Sequence, residues 1–221
     1  MVTRYDASGI QSEFEPGSRK RVLRNRLGIT QLRDMQQAES EALRLAQARA
    51  IETHFSDQTF TDVDVCKLHR LWLEPIYAWA GEYRDVNLSK DGFMFADAKR
   101  VPHLMKEFSR DVLAPNTPCP SGSTLDTANA LALVHAELIL IHPFRDGNGR
   151  AARLVALLMA LQAGLPPLDF SPLDGKSRKR YIAGIHAAMG RDYRILTEMF
   201  VKVIDRTVKS VSSSGRSKPA R

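Results

Sequence analysis

A segment of twelve residues in the second half of the chain concentrates the side chains that phosphate chemistry uses. It runs from His142 to Arg153 and reads HPFRDGNGRAAR. Histidine can take up a proton near neutral pH, and Asp146 offers a hard oxygen ligand that suits Mg²⁺ carried by phosphates. Arg150 and Arg153 lie three positions apart, so on a helix they share a face and can make bidentate contacts to phosphate. This set predicts a site for a nucleotide triphosphate.

The two glycines of the segment fit the same interpretation. Gly147 and Gly149 lack a Cβ atom, so the backbone there can come close to a phosphate and take positive φ. A helix that begins near Gly149 aims its free N–H groups and the positive end of its dipole at the same point. Asn148 is predicted to donate to a phosphate oxygen, and Phe144 to anchor the loop in the core. A turn or a histidine alone is ordinary, but the combination indicates a functional loop.

The elements on either side of this loop are predicted to be buried helices. Residues 124–141 and 149–163 are apolar nearly all round, and helices without a polar face must be buried. The loop therefore joins two central helices. Apolar periodicity and capping residues predict further helices at 34–53, 62–73, 75–80, 102–113, 175–189 and 192–209, with a loop at 114–123.

Residues 86–96 break the helical period. Two short β-prone runs there flank Lys90-Asp91-Gly92, and an Asp-Gly turn between such runs predicts a hairpin. The predicted fold class is therefore all-α, a helical bundle with one β-hairpin. We divide the chain into an extended lead-in over residues 1–19, one domain over 20–209 and a flexible basic tail over 210–221.

Composition places the chain among ordinary globular domains, with 43% hydrophobic and 26% charged residues. No apolar run reaches the ~18 residues of a membrane-spanning helix, so no membrane association is expected. The two cysteines form no metal or disulfide pattern, and the first residues do not resemble a signal peptide. We therefore expect a cytoplasmic location.

The net charge of +7 raises the alternative of a basic nucleic-acid-binding or interaction protein. Five of these charges lie in residues 206–221, which hold no acid, so the rest of the chain carries only +2. A second basic cluster spans residues 19–26 and is typical of a solvated surface. Nucleic acid is not an expected partner. This alternative would show binding that weakens steeply with salt, and it leaves the twelve-residue loop unexplained.

The segment HPFRDGNGRAAR is similar to the signature of Fic (filamentation induced by cAMP) domain proteins, His-Pro-Phe-x-Asp/Glu-Gly-Asn-Gly-Arg-x-x-Arg, and matches it at every position. The resemblance extends to three further runs. Residues 22–29 resemble an opening segment common in bacterial members, and Leu68-His69-Arg70 with Tyr77–Gly81 and Arg84 resembles the helix before their hairpin. The hairpin itself resembles their target-docking flap. The likeness thus covers about residues 20–205.

Membership of this family implies transfer of AMP from ATP, with Mg²⁺ as cofactor, to a Ser, Thr or Tyr hydroxyl of a target protein. His142 would be the catalytic base that deprotonates the hydroxyl, whose oxygen attacks the α-phosphorus. Asp146 would hold the Mg²⁺ ion between the α- and β-phosphates.

The same resemblance implies roles for the rest of the loop. Gly147, Asn148 and Gly149 would cradle phosphate oxygens, largely through backbone N–H groups. Arg150 would stabilise the charge that builds on the leaving side, and Arg153 would grip the γ-phosphate. Transfers of this kind depend mostly on positioning and charge stabilisation, which these groups can supply.

The hairpin would dock the target, because an exposed strand edge can pair with an extended segment of another protein. The residues implied in this flap are Asn87, Leu88, Ser89, Lys90 and Phe93. Related kinases carry Ala and Lys at the positions of Gly147 and Gly149, so the two glycines favour AMP transfer over the kinase alternative. Relatives that transfer phosphocholine are not separated by the loop. An inactive scaffold is disfavoured because His142 and both arginines are intact.

Many relatives restrain themselves with a glutamate followed by Gly or Asn, which pairs with the second signature arginine. No glutamate of this chain is followed by either residue. We therefore expect a separate small antitoxin protein to supply the glutamate, and Arg153 to be left free without it. Short relatives of this kind often act as toxins on DNA gyrase or topoisomerase IV, which makes these the expected targets.

Overall fold

The computed structural model describes residues 6–7, 11, 13–53, 56–90 and 92–214, and helices dominate this part of the chain. The helices are α1 (Leu32–Thr53), α2 (Asp62–Leu73), α3 (Val101–Phe108), a single turn α4 (Ala114–Asn116), α5 (Thr124–Ile141), α6 (Asn148–Gln162), α7 (Arg178–Ala188) and α8 (Arg194–Ser214). Short 3-10 turns occupy Ala98–Arg100, Ser171–Leu173 and Gly175–Ser177. The predicted all-α class is confirmed.

The core is built around α5 and α6, the two helices that flank the loop. Small residues such as Ala128, Ala132 and Ala136 are fully buried on α5, so α6 and α8 can pack closely against it. A capping box between Ser123 and Asp126 starts α5 and satisfies backbone N–H groups at its end. The loop therefore leaves and re-enters the most rigid part of the molecule.

Helix α5 is long and apolar enough to cross a membrane by length and composition alone. The sequence-based expectation that no apolar run is long enough for a membrane-spanning helix is therefore wrong by the criteria of length and hydropathy. The helix is 61% buried inside the bundle, as expected for the central helix of a helical core.

Three short antiparallel strands form the sheet, in the order β1 (Asp6–Ala7), β2 (Leu88–Lys90) and β3 (Phe93–Met94). Ser89 faces Met94 and Lys90 faces Phe93, which is the predicted hairpin. Gly92 has a φ of 82°, as tight hairpin turns require, while Asp91 lies outside the described residues. The pairing of Asp6–Ala7 with β2 was not predicted.

Three predicted segments differ in type from the structure. The predicted helix 75–80 is a run of turns, because after Pro75 only Ile76 and Tyr77 still donate to the carbonyl of Leu73. The predicted helix 102–113 ends as a π-helix over Ser109–Leu113, and the predicted loop 114–123 begins with the turn of α4.

The first residues of the predicted flexible tail are helical instead. Helix α8 continues to Ser214, five residues into the segment 210–221. The serines that suggested flexibility satisfy their hydroxyls on the preceding turn, since Ser210 donates to the carbonyl of Thr207 at 2.7 Å and Ser213 to that of Ser210 at 2.8 Å. Residues 215–221 lie outside the described residues.

Candidate active site

The signature loop forms one wall of a cleft of about 600 Å³. Helix α1 forms a second wall, the β2–β3 hairpin a third, and the segment from Leu173 to His186 closes the fourth. The predicted site residues that line this cleft are His142, Asp146, Gly147, Asn148, Gly149, Arg150, Arg153, Lys90 and Phe93. The structure thus brings the predicted loop and part of the predicted flap to one place.

His142 ends α5 in the left-handed conformation, with a φ of 54°. Its Nδ1 lies 3.0 Å from the carbonyl oxygen of Ile139. Because a carbonyl only accepts, Nδ1 carries the proton and Nε2 is the nitrogen that can take one up. The ring of Phe95 stacks on the imidazole at 3.7 Å and fixes its plane. Burial lowers the pKa of His142 to about 3, so the ring is neutral at pH 7.

Arg84 holds His142 and the hairpin together. This guanidinium is 2% exposed and donates to the carbonyl of His142 at 2.7 Å, to that of Val86 at 2.7 Å, and to that of Ala96. Val86 and Ala96 stand at the two ends of the hairpin segment. Burial lowers the pKa of Arg84 to about 10, which leaves it cationic at neutral pH. One buried cation therefore joins both ends of the hairpin segment to the loop.

Gly147 has the positive φ predicted for it, and its missing Cβ makes room for Trp72, while its close approach to phosphate stays a prediction. Its φ is 80°, and a Cβ there would lie 2.7 Å from the Trp72 ring. Gly149 differs from the prediction, because its φ is not positive and nothing lies within 4 Å of its missing Cβ. It belongs to the first turn of α6, where the absent side chain keeps the cleft open at the helix N-terminus.

The side chain of Asn148 does not point to a ligand, which corrects the prediction that it donates to phosphate. It is 1% exposed, accepts from the N–H of Phe144 at 2.8 Å and donates to the carbonyl of Phe144 at 2.8 Å. This pair of bonds closes the loop on itself. The role of the Asn148 backbone N–H toward phosphate stays a prediction, and Phe144 is fully buried as predicted.

Asp146 lines the cleft and is fixed through its backbone by His69. Nδ1 of His69 accepts from the N–H of Gly81 at 2.9 Å, so Nε2 carries the proton and donates to the carbonyl of Asp146 at 3.1 Å. The His69 ring stacks on Phe144 at 3.8 Å. Burial lowers the pKa of His69 to about 4, which keeps this ring neutral.

Arg150 is held by α1. Its guanidinium donates to Glu39 at 2.6 Å, lies over the Trp72 ring at 4.4 Å, and comes within 3.7 Å of a carboxylate oxygen of Asp146. The side chain is still 25% exposed, toward the cleft that it lines.

Arg153 is paired, which corrects the expectation that it is left free. Asp174 accepts from both terminal nitrogens of its guanidinium, at 2.7 and 3.0 Å. Asp174 is 57% exposed, so this bidentate pair sits at the solvent edge of the cleft and is worth little in stability. The acidic partner comes from the short 3-10 region before α7, a place that the sequence pattern did not indicate.

The hairpin lies directly against the loop, a closeness that the sequence could not show. Phe93 stacks on His186 at 5.3 Å, while Ser89 and Lys90 are half-buried. Leu88, however, is buried among the hairpin's own apolar residues, and the Asn87 side chain accepts from the N–H of Ala98 at 2.8 Å. Leu88 therefore shapes the hairpin rather than offers a contact surface, whereas Asn87 is exposed and its docking role stays a prediction.

Four residues outside the signature hold the site and were not assigned roles from sequence: Glu39, His69, Trp72 and Arg84. Each acts over a separation in sequence that periodicity cannot bridge. A usable signal did exist for one of them, because Glu39 occupies a buried position in the helical stripe of α1, where a charged residue needs a partner.

Comparison with known proteins finds relatives of the same family. Residues 59–160 match the model of the Fic/DOC family. A protein adenylyltransferase, fic-1, from Caenorhabditis elegans is 35% identical over 86 residues, which are 39% of this chain and 16% of that protein. The protein adenylyltransferase Fic of Drosophila melanogaster is 30% identical over 148 residues, 66% of this chain and 28% of that protein. The chain spans less than a third of the length of these curated relatives.

Solved structures share the fold. The Bartonella tribocorum effector BepC, crystallised with AMPPNP, has a TM-score of 0.66 at 20% identity, covering 82% of this chain and 91% of that one. The N-terminal Fic domain of a Bep effector from Bartonella sp. AR 15-3 has a TM-score of 0.69 at 22% identity, covering 90% of this chain and 92% of that one. The predicted Fic-like bundle is confirmed.

Proposed function

We propose that this chain, whose residues 59–160 match the model of the Fic/DOC family, is a protein adenylyltransferase, which transfers AMP from ATP with Mg²⁺ to a Ser, Thr or Tyr hydroxyl of a target protein. The observation that carries this proposal is the cleft itself. A neutral histidine, a helix N-terminus beginning at a glycine pair and two arginines line one space of about 600 Å³.

The chemistry of the cleft lining supports a nucleotide ligand. The start of α6 supplies a polar, cationic surface. The lining also includes the apolar side chains of Leu173, Tyr181, Ile182 and Ile185, and Ile182 is left 37% exposed. An adenine base suits these apolar side chains, and the phosphates suit the N–H groups of the helix start.

The transfer step places the hydroxyl proton on Nε2 of His142. As that proton leaves, the target oxygen bonds to the α-phosphorus, and the bond from that phosphorus to the oxygen leading to the β-phosphate breaks. Pyrophosphate departs with the bonding electrons. The Nδ1 bond to Ile139 and the Phe95 stack keep the accepting nitrogen in one orientation. Arg150 and the first N–H groups of α6 stabilise the charge on the phosphates.

A magnesium ion fits this chemistry through Asp146. No group of three or more His, Cys, Asp or Glu able to hold a metal occurs among the residues that the structure describes. A carboxylate beside a phosphate site suits an ion that brings phosphate and water oxygens as its other ligands. Such an ion supplies charge neutralisation on the phosphates, while Asp146 holds it in place.

For the hairpin we propose target docking. It carries Phe95 against His142, so a target segment aligned beside the hairpin would reach the base. Phe93, Lys90 and Ser89 are the partly exposed residues that support this role.

The test is ATP labelled on either the α- or the γ-phosphate, added to a lysate with the purified protein. Label is expected on protein from the α-position only. His142→Ala is expected to abolish labelling, a loss of at least about 100-fold, without changing the melting temperature by more than a few degrees. His103→Ala, at an exposed histidine on α3, is the control. Label from the γ-position alone would show a kinase and reject AMP transfer.

Two finer parts of the proposal rest on the resemblance to the family. We propose that the target is a subunit of DNA gyrase or topoisomerase IV, and that a separate antitoxin restrains the enzyme in the cytoplasm. The absence from the sequence of a glutamate followed by Gly or Asn supports the second part. The target proposal is rejected if purified gyrase and topoisomerase IV subunits take up no label. The antitoxin proposal is rejected if none of the proteins encoded next to this one lowers the rate of labelling.

A further inference from the structure

Glu39 places a carboxylate in the apolar stripe through which α1 packs on the bundle. Met35, Ala46 and Ala50 on the same face are buried, and Glu39 itself is only 7% exposed. A carboxylate in such a position destabilises the fold unless both oxygens are paired. Its partners therefore identify what it does.

Both carboxylate oxygens of Glu39 are used. One accepts from the hydroxyl of Tyr77 at 2.7 Å, and the other accepts from the guanidinium of Arg150 at 2.6 Å. The backbone carbonyl of Glu39 accepts from the indole N–H of Trp72 at 2.9 Å. Burial, and then the charge of Glu39, raise the pKa of Tyr77, so its hydroxyl stays protonated and keeps donating.

Trp72 also holds the guanidinium of Arg150 in place. Its ring lies under the guanidinium of Arg150 at 4.4 Å and also against Gly147, where a Cβ would come within 2.7 Å. The side chain of Arg150 is thus held at its edge by Glu39 and on its face by an aromatic ring. Cation–aromatic contact and a charge-assisted hydrogen bond both restrict its rotamers.

We propose that Glu39 is a positioning residue for AMP transfer, which holds Arg150 in the orientation that faces the phosphates. The inference rests on the proposed function and extends the working site to α1, outside both the signature and the matched residues 59–160. Fixing a long side chain before the nucleotide binds removes the entropy that would otherwise be lost in the transition state. The opposite action, in which Glu39 draws Arg150 away from the phosphates, predicts the opposite sign in the test below.

The test is Glu39→Gln, which preserves the shape and the acceptor for Tyr77 but loses the ion pair. We expect kcat for AMP transfer to fall about 10-fold to 100-fold, with a smaller change in KM for ATP and a melting temperature within a few degrees of the wild type. Glu41→Gln is the matched control, because Glu41 lies on the same helix with its side chain 59% exposed. Should Glu39→Gln fold poorly, Tyr77→Phe removes the other bond to the same carboxylate, and a smaller fall in kcat is expected.

A double-mutant cycle separates positioning from a structural effect. In an Arg150→Ala background, Glu39→Gln is expected to cause no further loss of rate, because it acts through Arg150. A wild-type rate in Glu39→Gln, a faster rate, or an equal loss in both backgrounds would each overturn the inference.

Failure of the proposed function is seen separately, in the wild type. If the wild type passes only γ-label to protein, AMP transfer is rejected. The double-mutant cycle of Glu39 and Arg150 then uses ATP affinity, measured by calorimetry, in place of the rate. A wild type that binds no nucleotide removes both proposals.

Discussion

Gly147 and Gly149 stand two positions apart in the loop and are glycines for different reasons. Gly147 combines a positive φ with the close approach of Trp72, so it is required by the fold. Gly149 has neither constraint, so what it keeps clear is the cleft. Residue type alone could not separate these two roles.

We therefore expect the two alanine variants to fail in different assays. Gly147→Ala should lower the free energy of unfolding by about 3 kcal/mol, from the left-handed backbone and the contact with Trp72. Gly149→Ala should leave stability equal or up to about 1 kcal/mol higher, since alanine is the better helix former, but should weaken ATP binding at least about 10-fold as a methyl group enters the cleft. Urea unfolding and calorimetry measure the two quantities.

Gly28→Ala is the control for the backbone contribution, because Gly28 has a φ of 65° with nothing within 4 Å of its missing Cβ. It should cost only about 1–2 kcal/mol. Equal effects of Gly28→Ala and Gly147→Ala on stability would contradict the role given to Trp72, and unchanged ATP affinity in Gly149→Ala would contradict an open helix entrance.

Single residues also mark the limit of what the sequence could show about the site. The types and spacing of the signature located the loop and predicted the base and the role of both arginines. The use of each side chain depends on neighbours distant in sequence. The Asn148 side chain is hydrogen-bonded to the backbone of Phe144, and Arg153 forms an ion pair with Asp174. The local sequence pattern predicts which residues form the site. The hydrogen-bond partner of each side chain is decided by tertiary packing, which the pattern does not encode.

Among the elements, the hairpin is the one whose two ends are joined to the signature loop by one side chain. Arg84 donates to carbonyls at both ends of the hairpin segment and to the carbonyl of His142. A lysine would retain the charge, but its ammonium group cannot replace the planar fork of donors that these carbonyls face.

We expect Arg84→Lys to lower the free energy of unfolding by about 2 kcal/mol or more, as buried carbonyls lose their donors. Hydrogen exchange should rise in the segment from Val86 to Ala96, and AMP transfer should fall. Arg100→Lys, at an exposed position just beyond the hairpin, serves as the control. Unchanged exchange in Arg84→Lys would show that the hairpin is held by other contacts.

Element types were predictable where periodicity was long and strong. The bounds of the helices 62–73 and 124–141 were predicted to the residue. The errors fall where local signals are weak or compete: the turns after Pro75, the π-helix Ser109–Leu113 and the continuation of α8 to Ser214. The pairing of Asp6–Ala7 with β2 joins segments more than 80 positions apart, which no local pattern encodes.

At the scale of the whole molecule, buried neutral histidines make stability depend on pH. Burial lowers the pKa of His135 and of His142 to about 3, whereas the ordinary value is about 6.5. Between these values the unfolded chain binds protons that the folded chain does not. Stability is therefore fully present above pH 6.5 and is lost as pH falls toward 3.

The expected slope is about 1.4 kcal/mol per pH unit for each such histidine between about pH 6 and pH 4. Urea unfolding at several pH values measures it, and His135→Gln should reduce the slope by about that amount. His103→Gln, at an exposed histidine, is the control. A reduction there as large as that in His135→Gln would contradict the assignment to burial.

The strand pairing of Asp6–Ala7 with β2 has a practical side for anyone who prepares this protein. A purification tag fused to the N-terminal side would join the chain a few positions before this strand, which pairs with the hairpin proposed to receive the target. Assays of target labelling should therefore carry the tag after Arg221, or remove it by protease before any Michaelis constant for the acceptor is compared between variants.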